Sequence, residues 1–134
     1  MTRRAMLDTN IVSALMRDPR GAIRRKAEEF GLDDLCISII VAGELEFGIA
    51  KSGSRRIRAQ FDAILKTMEI VPVHAPTERL YGEVRAHLLE RGKVIGPNDV
   101  WIAAHALALG LTLVTGNIRE FSRVPRLRTE NWLD

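Results

Sequence analysis

The chain has 134 residues, 46% hydrophobic and 28% charged, which suits one globular domain (1–134) and shows no linker, repeat or low-complexity tract to divide it. Its longest strongly apolar stretch, Cys36 to Gly43, falls far short of the roughly 20 residues of a membrane span, and no secretory leader is expected, because Asp8 interrupts the first apolar run. The single cysteine excludes an intramolecular disulfide, and a net charge of +3 with basic clusters at Arg24-Arg25-Lys26, Arg55-Arg56 with Arg58, and Arg119 to Arg128 is compatible with a polyanionic partner; the expected compartment is the cytoplasm.

In chain order, Arg4 to Asp8 reads as a short strand, and Thr9 can cap a helix running to about Arg17. Pro19 permits a second helix through Phe30, where Gly31 stops it. Leu35 to Ser38 is a second strand, with Cys36 as a plain buried strand residue, and a helix follows from about Ile39 to Lys51. Ser52-Gly53-Ser54 breaks the chain before a helix over about Arg55 to Thr67, and Glu69 to Val73 is a third strand. Pro76 opens a long helix to about Arg91. Asn98 to Leu109 is an alanine-rich helix ended by Gly110, and Leu111 to Thr115 is strand-like. A helical turn at Ile118 to Phe121 and a last strand at Leu127 to Thr129 complete the pattern. Strands alternating with helices predict an α/β fold with a mainly parallel sheet covered on both faces, whose sites form beyond the carboxyl ends of the strands. Asp8 and the Thr115-Gly116-Asn117 turn both belong at such ends.

Three carboxylates from distant segments are expected to point inward. Asp8 ends the run Ala5-Met6-Leu7. At about 100° per residue, Glu44 shares one arc of roughly 140° with Ile40, Val41, Leu45 and Gly48, while Glu46 falls on the opposite, solvated side. Asp99 leads the set Asp99, Ile102, Ala103, Ala106, whose spacing defines one helix face. Each has a structural alternative. Glu44 can lie at the rim of its stripe, Asn98 or Asp99 can cap a helix, and Asp8 competes with Thr9 and Asn10 for another cap. Buried carboxylates repel one another unless protonated or neutralised, and a shared divalent cation makes all three tolerable at once. All-oxygen ligands select a hard ion, Mg²⁺ with Mn²⁺ as a substitute, over zinc. His74, His87 and His105 are dispersed and read as structural.

Other chemistries fail on detail. A haloacid-dehalogenase phosphatase needs a second Asp two residues after the first, where Asn10 stands, and a receiver domain needs adjacent acids and a downstream Lys that are not apparent. No phosphate-binding glycine loop is present. By contrast, Met6-Leu7-Asp8-Thr9-Asn10, Ala42-Gly43-Glu44-Leu45 with Gly48, and Ile95-Gly96-Pro97-Asn98-Asp99 together resemble the PIN-domain ribonucleases. The run from Ile95 through Trp132, including Leu113-Val114-Thr115 and Arg119-Glu120-Phe121, is similar to the VapC toxins of bacterial VapBC toxin–antitoxin modules.

The resemblance implies a three-layer sandwich about a central, mainly parallel sheet. It also implies a Mg²⁺-dependent endoribonuclease with Asp8, Glu44 and Asp99 as acidic site and metal residues. Asn117 stands where many relatives carry a fourth acid, a departure that removes one negative charge; it is also the feature favouring a binding module without catalysis. Thr115 keeps the role of orienting the site through its hydroxyl, with Thr9 and Asn10 in support. The implied substrate is RNA, with initiator tRNA cut in its anticodon stem-loop. The implied partners are a VapB antitoxin, whose tail blocks the cleft, and a second copy of the chain. Operator DNA is reached only through the antitoxin.

Overall fold

Two of the runs that read as strands are buried on both faces, as the inner strands of a helix-covered parallel sheet must be. Ala5, Met6 and Leu7 are fully buried, and so is the whole of Leu35–Ser38. The computed structural model describes residues 3–133. Strands β1 (Ala5–Leu7), β2 (Leu35–Ser38), β3 (Glu69–Val71), β4 (Thr112–Val114) and β5 (Thr129–Glu130) form one parallel sheet in the order β3-β2-β1-β4-β5. Helices α1 (Thr9–Arg17), α2 (Ala22–Phe30), α3 (Ile39–Ser52), α4 (Arg55–Leu65), α5 (Thr77–Glu90), α6 (Pro97–Leu109) and α7 (Ile118–Phe121) flank it; α1 touches α2, α3 and α4, and α5 packs along α6. The fold is the α/β sandwich that the alternation of elements predicts. None of the described helices is long and apolar enough to cross a membrane.

The strand order reverses at β1, which lies between β2 and β4. In open α/β sheets such a reversal opens a crevice at the carboxyl edge. Register places two polar side chains there. Leu7 pairs with Val114, and the Asp8 N–H donates to the Val114 carbonyl at 2.8 Å, so the ladder runs one residue past the strand and sets Asp8 beside Thr115.

Several boundaries differ from the sequence reading. Asp8, not Thr9, caps α1, because its carboxylate accepts from the Thr9 N–H. The second helix starts at Ala22 rather than near Pro19, after a turn closed by the Gly21 N–H on the Asp18 carbonyl. Helix α4 stops at Leu65, and β3 ends at Val71. The last strand begins at Thr129 because Arg126 adopts a left-handed φ of 68°, so the chain turns until Arg128 can accept from the Leu113 N–H.

Cys36 is buried, its thiol pushed up to about 11 by loss of solvent, and its Sγ donates to the Ala5 carbonyl; it is the inert strand residue expected. His105 of α6 is also buried, and its partners fix its tautomer. Nε2 lies 3.1 Å from the Pro72 carbonyl, which can only accept, so Nε2 carries the proton and Nδ1 accepts from the Ser38 hydroxyl at 2.8 Å. Ser38 Oγ also accepts from the Ile40 N–H as the cap of α3. One serine thus ties β2, α3 and α6 together. Ser38→Ala should remove the cap and leave a buried imidazole nitrogen without its donor, a loss of about 2 kcal/mol. Urea unfolding checks this, and an unchanged midpoint would contradict it. Burial holds the His105 imidazole below its ordinary value, so its share of stability is present above the ordinary histidine range and declines as pH falls below it.

Candidate active site

Four elements converge on a cavity of about 400 Å³ at the carboxyl edge, lined by Asp8, Thr9, Asn10, Ser13, Arg17, Glu44, Asp99 and Asn117. Asp8 is 5% exposed at the floor. Its Oδ2 accepts from the Thr115 hydroxyl at 2.8 Å and its Oδ1 from the Thr9 N–H at 2.8 Å. Thr115 is itself held, because its Oγ1 accepts from the Asn117 N–H at 2.9 Å. These bonds stabilise the carboxylate, yet burial dominates and raises its proton affinity, with Glu44 adding to the rise.

Glu44 reaches the same cavity from α3, where the Thr9 hydroxyl donates to its Oε1 at 2.6 Å. The predicted arc is rotated. The buried stripe of α3 is Val41, Ala42, Leu45 and Ile49, whereas Gly48 is exposed and Glu44 is half-buried at the rim. Glu46 points to solvent and forms a two-point ion pair with Arg58 at 2.7 and 2.9 Å.

Asp99 does not cap its helix, nor does Asn98. The cap position is Gly96, Pro97 opens the first turn, and Asp99 follows inside it. Its carboxylate receives no hydrogen bond and no ion pair from any described residue, although it is half-buried. Loss of solvent, then the charges of Asp8, Glu44 and Glu120, push it up to about 6. A carboxylate partly out of water, without a donor and among like charges is suited to meeting a cation from outside the chain.

Glu120 was not singled out by the sequence reading. It lies on α7, three residues after Asn117, and its charge acts on Asp99. The signal was available in the helical turn that follows Asn117, since an i+3 residue shares its side of a helix. Asn117 lines the cavity, whereas Glu120 stands outside its lining and acts on Asp99 through its charge. Asn10 supports the turn from the other side, accepting from the Gly116 N–H at 3.1 Å. A Cβ at position 116 would sit 2.4 Å from Leu133 and 3.3 Å from Asn10, so glycine permits this close approach. Of the histidines, His74 is exposed, His87 meets Arg91, and His105 serves the core; none lines the cavity.

The donor set fits a hard divalent ion. Among the described residues no three acidic, His or Cys side chains stand close enough to enclose an ion. Mg²⁺ does not require such a cage, because it is ordinarily held by one or two carboxylates with water filling the remaining positions. Asp8 and Asp99 would be that pair, with Glu44 lining the same cavity.

The PIN domain family model matches residues 5–127. The chain is 40% identical over 129 residues to Ribonuclease VapC2 of Rickettsia felis, covering 95% of this chain and 96% of that protein. It is 37% identical over 130 residues to the tRNA(fMet)-specific endonuclease VapC of Shigella flexneri, covering 95% and 96%. Among solved structures, VapBC2 from Rickettsia felis bound to a promoter DNA fragment superposes with a TM-score of 0.88 at 37% identity, over 96% of this chain and 98% of that one.

Proposed function

The chain belongs to the PIN-domain family, among its VapC ribonucleases, and from that membership we propose that it is the toxin of a VapBC pair whose endoribonuclease activity depends on a divalent metal and is directed at tRNA. The observation that carries the metal assignment is the partnerless carboxylate of Asp99 beside the buried Asp8. Asp8 and Asp99 would hold Mg²⁺, or Mn²⁺ in its place, with Glu44 bound directly or through water. When bound, the ion lowers the pKa of water and offsets charge on the phosphate. The chain's own residues prepare for this. Thr115 and Thr9 fix the Asp8 carboxylate in one orientation, Thr9 also holds Glu44, and Asn117 closes one wall of the cavity.

Glu120 would supply the fourth acid that Asn117 lacks. Glu120→Gln should remove one repulsion from Asp99 and reduce cleavage about 10- to 100-fold. The acid limb of the pH–rate profile should move to lower pH. If rate and limb both stay where they are, Glu120 is no part of the site.

Initiator tRNA is the proposed substrate, on the strength of the Shigella relative's name and full-length similarity. Sequencing the RNA ends produced when the protein is expressed without an antitoxin tests this; ends falling mainly in mRNA would overturn it. A VapB antitoxin is the proposed inhibitor, its tail presenting an Arg or Lys to the acids. A homodimer is proposed as well, because exposed Ile39, Phe47, Leu89 and Val94 offer apolar surface for such contacts. Promoter DNA would be met through the antitoxin, in the cytoplasm. Sedimentation of the chain alone and with its antitoxin distinguishes these assemblies from a lone monomer.

A further inference from the structure

Helix α1 divides cleanly into two faces. Ile11, Val12, Leu15 and Met16 enter the core, while Thr9, Ser13 and Arg17 recur at four-residue intervals along the cavity wall. At 1.5 Å per residue the row from Thr9 to Arg17 runs about 12 Å along the helix axis. Arg17 is the sole cation among the residues lining that cavity. It is exposed, and it forms no hydrogen bond or ion pair with any described residue. This sets it apart from Arg3, Arg4, Arg24 and Arg58, each of which is matched to a carboxylate. A guanidinium left unmatched in a cavity holding three acids is free to take an anion brought in from outside.

Resting on the ribonuclease reading above, we infer that Arg17 is a phosphate-binding residue of the substrate track, holding the RNA backbone a few nucleotides from the phosphate that meets Asp8 and Asp99, with Ser13 lining the path between. A stacked strand rises about 3.4 Å per nucleotide, so a 12 Å row spans a few of them. The planar guanidinium donates two parallel hydrogen bonds to phosphate oxygens, which sets the register of the strand without selecting bases. Phosphate contacts at Arg17 and at the acids together fix the line along which the strand lies.

The test uses steady-state cleavage of an initiator tRNA transcript with Mg²⁺, at several salt concentrations, by the unsubstituted protein, Arg17→Gln and Arg17→Lys. Arg17→Gln should raise KM about tenfold, leave kcat within about twofold, and reduce the salt dependence of log(kcat/KM) by about 0.7, the value for one single-strand phosphate contact. Arg17→Lys should restore most of the salt slope, since it keeps the charge but loses the paired geometry. Thermal melting should be unchanged for both, because the residue is exposed. An unchanged KM and salt slope in Arg17→Gln would overturn the assignment, as would a fall in kcat alone. A lack of RNA cleavage by the unsubstituted protein would instead overturn the ribonuclease reading, and this assignment with it.

Discussion

Asp99→Asn is expected to fold normally and to lose RNA cleavage by on the order of 10³-fold, equivalent to about 4 kcal/mol of transition-state stabilisation. The change is nearly isosteric, and Asp99 caps nothing, so no local hydrogen bond is sacrificed. What disappears is the charge that a cation needs. Stability without metal should hold or rise, because the substitution removes one of several acids that repel one another. With its carboxyl pushed up to about 6, the folded chain keeps a proton that the unfolded chain releases near 3.8. Asp99 therefore adds stability at acid pH and loses it as pH rises through about 6. Asp8 contributes in the same direction, whereas His105 loses stability as pH falls below its ordinary range. The opposing trends are separated by comparing metal-free melting of Asp99→Asn with the unsubstituted protein between pH 4 and 7, since only the Asp99 component should vanish. Protons also compete with the cation, so metal affinity should weaken as pH falls through about 6. Glu46→Gln is the control, as its carboxylate pairs with Arg58 outside the cavity, and cleavage should change little. Wild-type cleavage by Asp99→Asn would remove Asp99 from the site.

Asp8→Asn should abolish cleavage to a similar extent but with a different structural cost. Both carboxylate oxygens of Asp8 accept hydrogen bonds, one from the Thr115 hydroxyl and one from the Thr9 N–H. An asparagine has only one accepting oxygen, so its amide must turn a donor towards one of these donors. Relief of the buried charge pulls the other way. The expected balance is a loss of about 1 kcal/mol relative to Asp99→Asn, read as a lower urea midpoint. A more stable Asp8→Asn protein would mean that the Thr115 and Thr9 contacts contribute less than the charge costs.

How much of this was legible beforehand depends on the residue. The β2 segment Leu35–Ser38 and the turn Ile118–Phe121 match their predicted bounds, because apolar run and flanking polar residues agree locally. The α1 cap did not, since Asp8, Thr9 and Asn10 are all good caps and nothing local ranks them. The β1–β4 ladder decides, by carrying Asp8 into register with Thr115. Glu44 was placed on the right helix but too far inward. Apolar Ile39 and Phe47 lie exposed on α3, so periodicity alone cannot locate the centre of its buried face. The alternative of Asn98 or Asp99 as a cap falls to local geometry, since Gly96 takes the cap position and Pro97 opens the first turn. Glu120 is not legible from the motif, because the family's fourth acid belongs at position 117, whereas α7 carries an acid one helical turn onward.

We propose that the acids at the carboxyl edge arm this chain to cut RNA with a divalent ion. The most direct measurement incubates the purified, antitoxin-free protein and its Asp99→Asn variant with initiator tRNA, with Mg²⁺ or with EDTA, and maps the products. Discrete cuts in the anticodon stem-loop that require both Mg²⁺ and Asp99 are the predicted result; cleavage of equal rate and pattern in EDTA, or by the variant, would contradict it.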